Sequence, residues 1–350
     1  MKRELSHIKQ IENKNKEVVL PKKLENFKAY IISKNYSVKT LESYITNLSL
    51  LFKFLKIDKN SRANKSLLLD GKAFKEANVS ITNIGITFIR NIKSCDLANY
   101  FLFCSEILGN EASTKNTKIV IVKAFFKYLL IQEESIDKNV AEKIELPKLG
   151  KKNIIFMNIE ESKKLLILAK NDTDNNEVMN KRNLCLIALM TNNGLRKEEI
   201  IGISIKDIFL DENYINIHGK GNKERVAYLN KFTHSALENY LIQRNKINND
   251  INENDKDALF ISERHNRISA SVIENLVEKY INKAGINKNI TPHKLRTSFA
   301  MRSYKNKVDL YTIASMMGHS SINTLKSYIE SDEDNMRNAV NNDTFSDMII

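Results

Sequence analysis

This chain of 350 residues is short of several things that common protein classes need. It has three cysteines, Cys95, Cys104 and Cys185, all in apolar contexts and at no metal-ligand spacing. A disulfide framework and a cysteine zinc site are therefore excluded, and the three are read as reduced core residues of a cytoplasmic protein. No apolar run approaches the roughly 18–20 residues that cross a bilayer, so no membrane partner is expected. The first residues are charged and lack the apolar stretch of a signal peptide. No acidic cluster suited to a metal accompanies the basic motifs. The turn Gly219-Lys220-Gly221-Asn222 is too short for a phosphate-binding P-loop and lacks its G-x-x-x-x-G-K-[ST] spacing. Internal repeats are absent, and the only compositional bias lies in asparagine-rich loops such as 171–176 and 248–254.

What the chain has is positive charge. Its formal net charge is +13, which points to a polyanionic partner. Residues 1–150 carry 26 Lys and Arg against 16 Asp and Glu, and residues 151–326 carry 28 against 20. Residues 327–350 reverse the balance, with one arginine against six acids. An AT-rich genome would raise lysine everywhere but would not produce that reversal. Two basic bodies followed by an acidic tail are therefore expected, with the bodies clamping double-stranded DNA and the tail turned away from it.

Apolar residues recur at three- and four-residue steps from Leu24 to Leu55, the period of amphipathic helices. Further helices are predicted over 92–108 and 114–131, with a long polar connection from Asp58 to Ser80 that holds one apolar patch at Leu67–Leu69. Proline is scarce. Pro147 stands with Gly150 and three lysines in a break that marks a linker. The predicted divisions are a polar arm over 1–20, a helical domain over 21–146, a linker over 147–153, a second domain over 154–335 and a tail over 336–350. Tyr214–His218 and Arg225–Leu229 read as two strands joined by the Gly219–Asn222 turn.

Three local patterns carry chemistry. The run T-N-N-G-L-R-K-E-E-I holds Arg196, with Gly194 as the cap of the preceding helix and Arg196 opening the next, near donors that favour an anion. In T-P-H-K-L-R, Thr291 and Pro292 start a helix, and His293 and Arg296 fall three apart on one face. The run G-H-S-S-I-N-T-L-K-S-Y holds His319 and ends on Tyr328. Between the first two lies Lys220. Guanidinium forks suit the charge that develops on a phosphodiester, and a tyrosine can be a covalent nucleophile once a base removes its proton. Singly, each residue has a duller reading as a surface, turn or core residue. His218 and His265 have no pattern around them and are read as structural. Occurring together and in this order, the six residues outweigh those readings.

Together the patterns resemble the active site of the tyrosine recombinases, the phage integrase family. Ser37–Tyr44 and Lys123–Leu129 also look like parts of that family's helical DNA-binding domain. The resemblance implies a mainly α, two-domain fold: a helical core-binding domain, then a mixed but mostly helical catalytic domain with a small antiparallel sheet near 203–229. By the same resemblance Tyr328 attacks the scissile phosphate and forms a 3′-phosphotyrosyl link. Arg196 and Arg296 hold the non-bridging oxygens, Lys220 protonates the leaving 5′-oxygen, His293 gives acid–base support and His319 donates to the phosphate. Glu199 supports this set from behind. No metal and no cofactor are implied. The motifs look most like Xer-type recombinases, including the single-recombinase XerH type. That implies a homo-tetramer on two duplexes with inverted-repeat sites, a tail that docks in trans, and a cell-division translocase as activator. A mobile-element integrase would use the same residues, and a type IB topoisomerase the same chemistry without strand exchange. A DNA-binding regulator would need none of it.

Overall fold

The structure, a computed structural model, describes residues 20–60, 63–148, 150, 154–219 and 224–318. The expectations for the arm up to residue 19, for Lys220, His319 and Tyr328, and for the tail over 336–350 lie outside the described residues. The chain divides into two units, Met1–Lys151 and Lys152–Ile350.

The described part of the first unit is helical: α1 (Lys22–Ser33), α2 (Val38–Lys59), α3 (Gly71–Glu76), α4 (Ile86–Arg90), α5 (Ser94–Glu106) and α6 (Ala112–Ile131). Ser37 starts α2 because its hydroxyl accepts the Thr40 backbone N–H at 3.3 Å. Leu48, Leu51, Phe52 and Leu55 then face inward at helical spacing. The core is aromatic. Phe27 and Phe52 each meet Phe125 of α6 edge-on, at 5.3 and 5.6 Å between ring centres.

Two expectations fail here. The stretch read as a polar connection from Asp58 to Ser80 holds a 3-10 turn, Lys65–Leu68, and the helix α3. Asp70 caps α3 by accepting the N–H groups of Lys72 and Ala73 at 2.8 and 3.1 Å. The segment is fastened by Phe74, which is fully buried and edge-on to Phe103 at 4.8 Å. A single buried ring makes no periodic pattern, so periodicity overlooks it. Cys95, expected in the core, is exposed. On α5 the inward stripe is Leu97, Tyr100, Phe101 and Cys104, and Cys95 stands two residues off it, on the other side of the helix.

The second unit is built on α8 (Glu177–Asn193), whose residues from Cys185 to Met190 are all fully buried. A helix apolar all round belongs inside. Around it pack α7 (Ile159–Lys170), α10 (Lys231–Lys246) and α12 (Pro292–Lys305), with α9 (Lys197–Gly202), α11 (Ala270–Lys283) and α13 (Leu310–Met317) completing the described helices. The sheet runs β1 (Ile208–Phe209), β2 (Tyr214–His218), β3 (Glu224–Tyr228), antiparallel throughout. β2 sends Ile215 and Ile217 into the core and pairs His218 with Glu224 at its open end. The short strand β1 has no sequence signal of its own. Lys220 belongs to the connection that follows β2.

Phe74 gives a test of the corrected segment. Truncation of a buried ring typically costs about 3–5 kcal/mol, so Phe74→Ala should lower the stability of the first unit by that order in urea denaturation. A loss below about 0.5 kcal/mol, the level of a surface substitution, would restore the polar-connection reading.

Candidate active site

Helix α8 ends at Gly194, which takes the left-handed conformation, φ 59° and ψ 30°. Glycine is required there twice over. The conformation disfavours a side chain, and a Cβ would lie 2.5 Å from Cδ1 of Phe299 on α12. That close approach of α12 lets Nη1 of Arg296 donate to the Gly194 carbonyl at 2.7 Å. Arg296 is 1% exposed. Arg196, two residues after Gly194, remains 38% exposed along its side chain.

Arg196 stands at the N-cap of α9, and its own backbone N–H is taken from within the helix. The Glu199 carboxylate folds back three residues and accepts the Arg196 backbone N–H on Oε2 at 2.8 Å, the carboxylate half of a capping box. Glu199 is the acid on which the site converges. Its Oε1 also accepts Nη1 of Arg196 at 2.7 Å. Arg225 of β3 adds a two-pronged bond, Nη1 to Oε1 and Nη2 to Oε2, each at 2.9 Å, while Nη1 of Arg296 lies 3.7 Å from Oε2. Glu199 is 4% exposed. Burial works to raise its pKa, but the Arg225 fork, and then Arg196, outweigh it and hold the carboxyl below its ordinary value.

The same arginines gather the end of α13. The last carbonyls of a helix have no partner inside it and form the negative end of its dipole. Nε of Arg225 donates to the Met316 carbonyl at 2.9 Å, and Nη2 of Arg296 donates to that of Met317. Gly318 ends the helix at φ 60°, and a Cβ there would come within 3.2 Å of Cδ of Arg225. The next residue in sequence is His319, the first beyond the described stretch.

Arg196, His293 and Arg296 line one cleft of about 700 Å³. Its far wall includes Glu274 and Glu278 of α11, and Lys197 pairs with Glu274. The ring of His293 reaches the surface. The protein packed around it, then the charges of Arg296 and Arg196, hold its pKa below the ordinary histidine value. A neutral imidazole beside two guanidiniums can accept a proton while the arginines hold an anion. Among the described residues no group of three or more His, Cys, Asp and Glu side chains is arranged to hold a metal ion.

The residue missed in the sequence is Arg225. It lies at the end of the G-K-G-N-K-E-R run but was read only as part of a strand. The available signal is its parity: two residues before Ala227, which is buried, it shares that residue's face of β3. An arginine on the core side of a strand calls for a buried acid. His218 lies between two carboxylates, with Nε2 3.1 Å from Asp207 and Nδ1 3.1 Å from Glu224. Its hydrogen bond to Asp207 leads the effects that raise its pKa. His265 occupies a turn at φ 57°.

The two histidines should therefore separate on titration. Followed by ring-proton NMR, His293 should lose its proton below the unperturbed value of about 6.5 and His218 above it. The His218 contacts stabilise the fold below its unfolded pKa and are lost as pH rises through the raised folded value. Coincident midpoints, or the reverse order, would contradict the electrostatics described above.

The profile of the phage integrase family matches residues 156–335. Tyrosine recombinase XerC of Caldanaerobacter subterraneus subsp. tengcongensis is 33% identical over 329 residues, 93% of this chain and 88% of that protein. Tyrosine recombinase XerD of Halalkalibacterium halodurans is 26% identical over 299 residues, 85% of this chain and 97% of that protein. Among solved structures, XerH site-specific recombinase bound to palindromic difH substrate aligns with a TM-score of 0.66 at 23% identity, covering 91% of this chain and 83% of that one. A likeness at that identity speaks to the mainly helical fold with its small antiparallel sheet. The match of the profile to just over half of the residues, and a relative sharing a third of its residues over almost the whole length, settle the family: the chain belongs to the phage integrase family, and its relatives place it among the Xer-type tyrosine recombinases.

Proposed function

We propose that this protein is a Xer-type site-specific recombinase that cuts and rejoins DNA through a 3′-phosphotyrosyl intermediate. The observation that carries the reading is that Arg196 and Arg296, from separate elements, line one cleft together with His293. In the reaction, the two guanidiniums hold the non-bridging oxygens of the scissile phosphate. The phenol oxygen of Tyr328 forms a bond to phosphorus as the bond to the 5′-oxygen breaks. His293 takes the phenol proton, Lys220 gives one to the departing 5′-oxygen, and His319 donates to the phosphate. One phosphoester bond replaces another, so rejoining needs no external energy source. The fixed positive groups supply the charge stabilisation that a metal provides in other phosphoryl transfers.

The finer reading is chromosome dimer resolution at a paired inverted-repeat site, by a homo-tetramer on two duplexes in the cytoplasm, with a cell-division translocase as activator. Net positive charge in both parts of the sequence supports DNA as the partner. No helix among the described residues is long and apolar enough to cross a membrane. The acidic segment after Tyr328 ends in Phe345, Met348, Ile349 and Ile350 and is the proposed contact between protomers.

A duplex nicked near the cleavage point, built from a site recovered by footprinting genomic fragments, tests the chemistry. The wild-type protein should become covalently attached to it, with or without EDTA. Tyr328→Phe should lose the adduct and keep binding. Arg196→Ala should slow cleavage about 100–1000-fold, the usual effect of removing one donor to the transition state. Lys220→Ala should be rescued by a sulfur-bridged 5′ leaving group, which needs no proton. Equal loss on both substrates would remove Lys220 from that role, and an adduct on any sequence without need of paired sites would favour a topoisomerase. Binding should fall steeply with salt through counterion release. Truncation after Asp334 should spare half-site binding and impair recombination; full-length rates from the truncated chain would exclude the tail as the assembly contact.

A further inference from the structure

Arg225 has no part in the proposed reaction and does not line the cleft. Its side chain, 12% exposed, nevertheless joins three elements. It leaves β3, grips both oxygens of Glu199 at the start of α9, and donates to the Met316 carbonyl near the end of α13. The local charge count gives this arrangement a consequence. Glu199 contributes one negative charge, and Arg196, Arg225 and Arg296 contribute three positive ones within 4 Å of it. The cluster therefore keeps two net positive charges. Without Arg225 the buried carboxylate would be left to Arg196 and Arg296 alone. Their N–H groups would be drawn inward to satisfy it, and the net charge offered to the cleft would halve.

We propose that Arg225 is a positioning residue for phosphate binding: it satisfies Glu199 so that Arg196 keeps its exposed donors, and Arg296 its charge, for a phosphodiester. The inference rests on the reading of the cleft as a phosphodiester site. Arg225 acts through Glu199 and never touches the substrate. Two features favour arginine over lysine at this position. The planar fork meets both carboxylate oxygens at once, and the remaining Nε–H is free to meet a third acceptor in the plane. The residue thus fixes the acid and the end of α13 in one register.

Two readouts on the full-length protein test this. The first is the rise in melting temperature caused by inorganic phosphate, which reports anion binding without any reaction. The second is first-turnover cleavage of the nicked half-site duplex. In Arg225→Gln the phosphate-induced rise should largely vanish and cleavage should slow on the order of 100-fold, with half-site binding nearly unchanged. The decisive variant is Glu199→Gln combined with Arg225→Gln. It removes the uncompensated carboxylate, so it should regain part of the phosphate response and cleave faster than Arg225→Gln alone. A merely structural Arg225 predicts the opposite, a double variant no better than the single. Arg225→Lys keeps the charge without the fork, and should keep most of the phosphate response with an intermediate rate; it carries the test should Arg225→Gln not fold. A double variant slower than or equal to the single, or an undiminished phosphate response in Arg225→Gln, would overturn the proposal. Failure of the wild-type protein to form any adduct would overturn the recombinase reading instead, leaving the phosphate response to judge Arg225.

Discussion

The second unit turns on one buried carboxylate. Glu199 is 4% exposed, and an isolated charge so placed would be strongly destabilising. It is tolerated because two guanidiniums and a backbone N–H donate to its two oxygens, with a third guanidinium close by. The converse matters as much. Arg296, at 1% exposure, is itself a buried charge and could not sit against α8 and α13 without that acid and the carbonyls of Gly194 and Met317. Removing one member of such a set commonly costs about 3–5 kcal/mol, mostly because the others are left buried and unpaired. Acid and arginines therefore stand or fall together.

This coupling makes the cleft arginines part of the fold. Arg225 ties β3 to α9 and α13, Arg296 ties α12 to α8 and α13, and Arg196 ties the α8–α9 junction to Glu199. The carbonyls at the end of α13 are the common acceptors. Helix ends need partners from outside the helix, and here those partners are the same arginines that carry the positive charge of the site. Other arginines of the unit are buried with backbone partners. Arg244 donates to the Lys256 and Ala258 carbonyls, and Arg182 to that of Ile261. Burial of an arginine therefore does not by itself distinguish the cleft; the shared acid does.

Much of the site was legible because its signals are local. A glycine closing a helix, a proline opening one, and a histidine and arginine three apart are fixed by backbone geometry within a few residues. Those features placed Gly194, Pro292, His293 and Arg296 correctly on their elements. What was not legible depends on distant partners. Arg225 matters through an acid 26 residues earlier and a carbonyl 91 residues later. Nothing in the G-K-G-N-K-E-R run names either partner. Phe74 fastens the segment after α2 through Phe103, on a helix that periodicity cannot connect with it. Cys95 was misplaced for the opposite reason: its apolar neighbours are real, but it stands off their stripe.

The two cleft arginines are consequently unequal, although sequence spacing gives them the same standing. Arg296 is fully enclosed and donates to two backbone carbonyls that hold three helices in register. Its position is fixed before any ligand arrives, which is the preorganisation that makes electrostatic stabilisation effective. Arg196 leaves 38% of its side chain open and meets the α13 carbonyls only at 3.4 and 3.5 Å. Contacts of that length are at the weak end of hydrogen bonding. One guanidinium is thus enclosed by the fold, and the other keeps part of its side chain open. That difference follows from burial, and a single acid serves both: Glu199 lies 2.7 Å from the exposed arginine and 3.7 Å from the buried one.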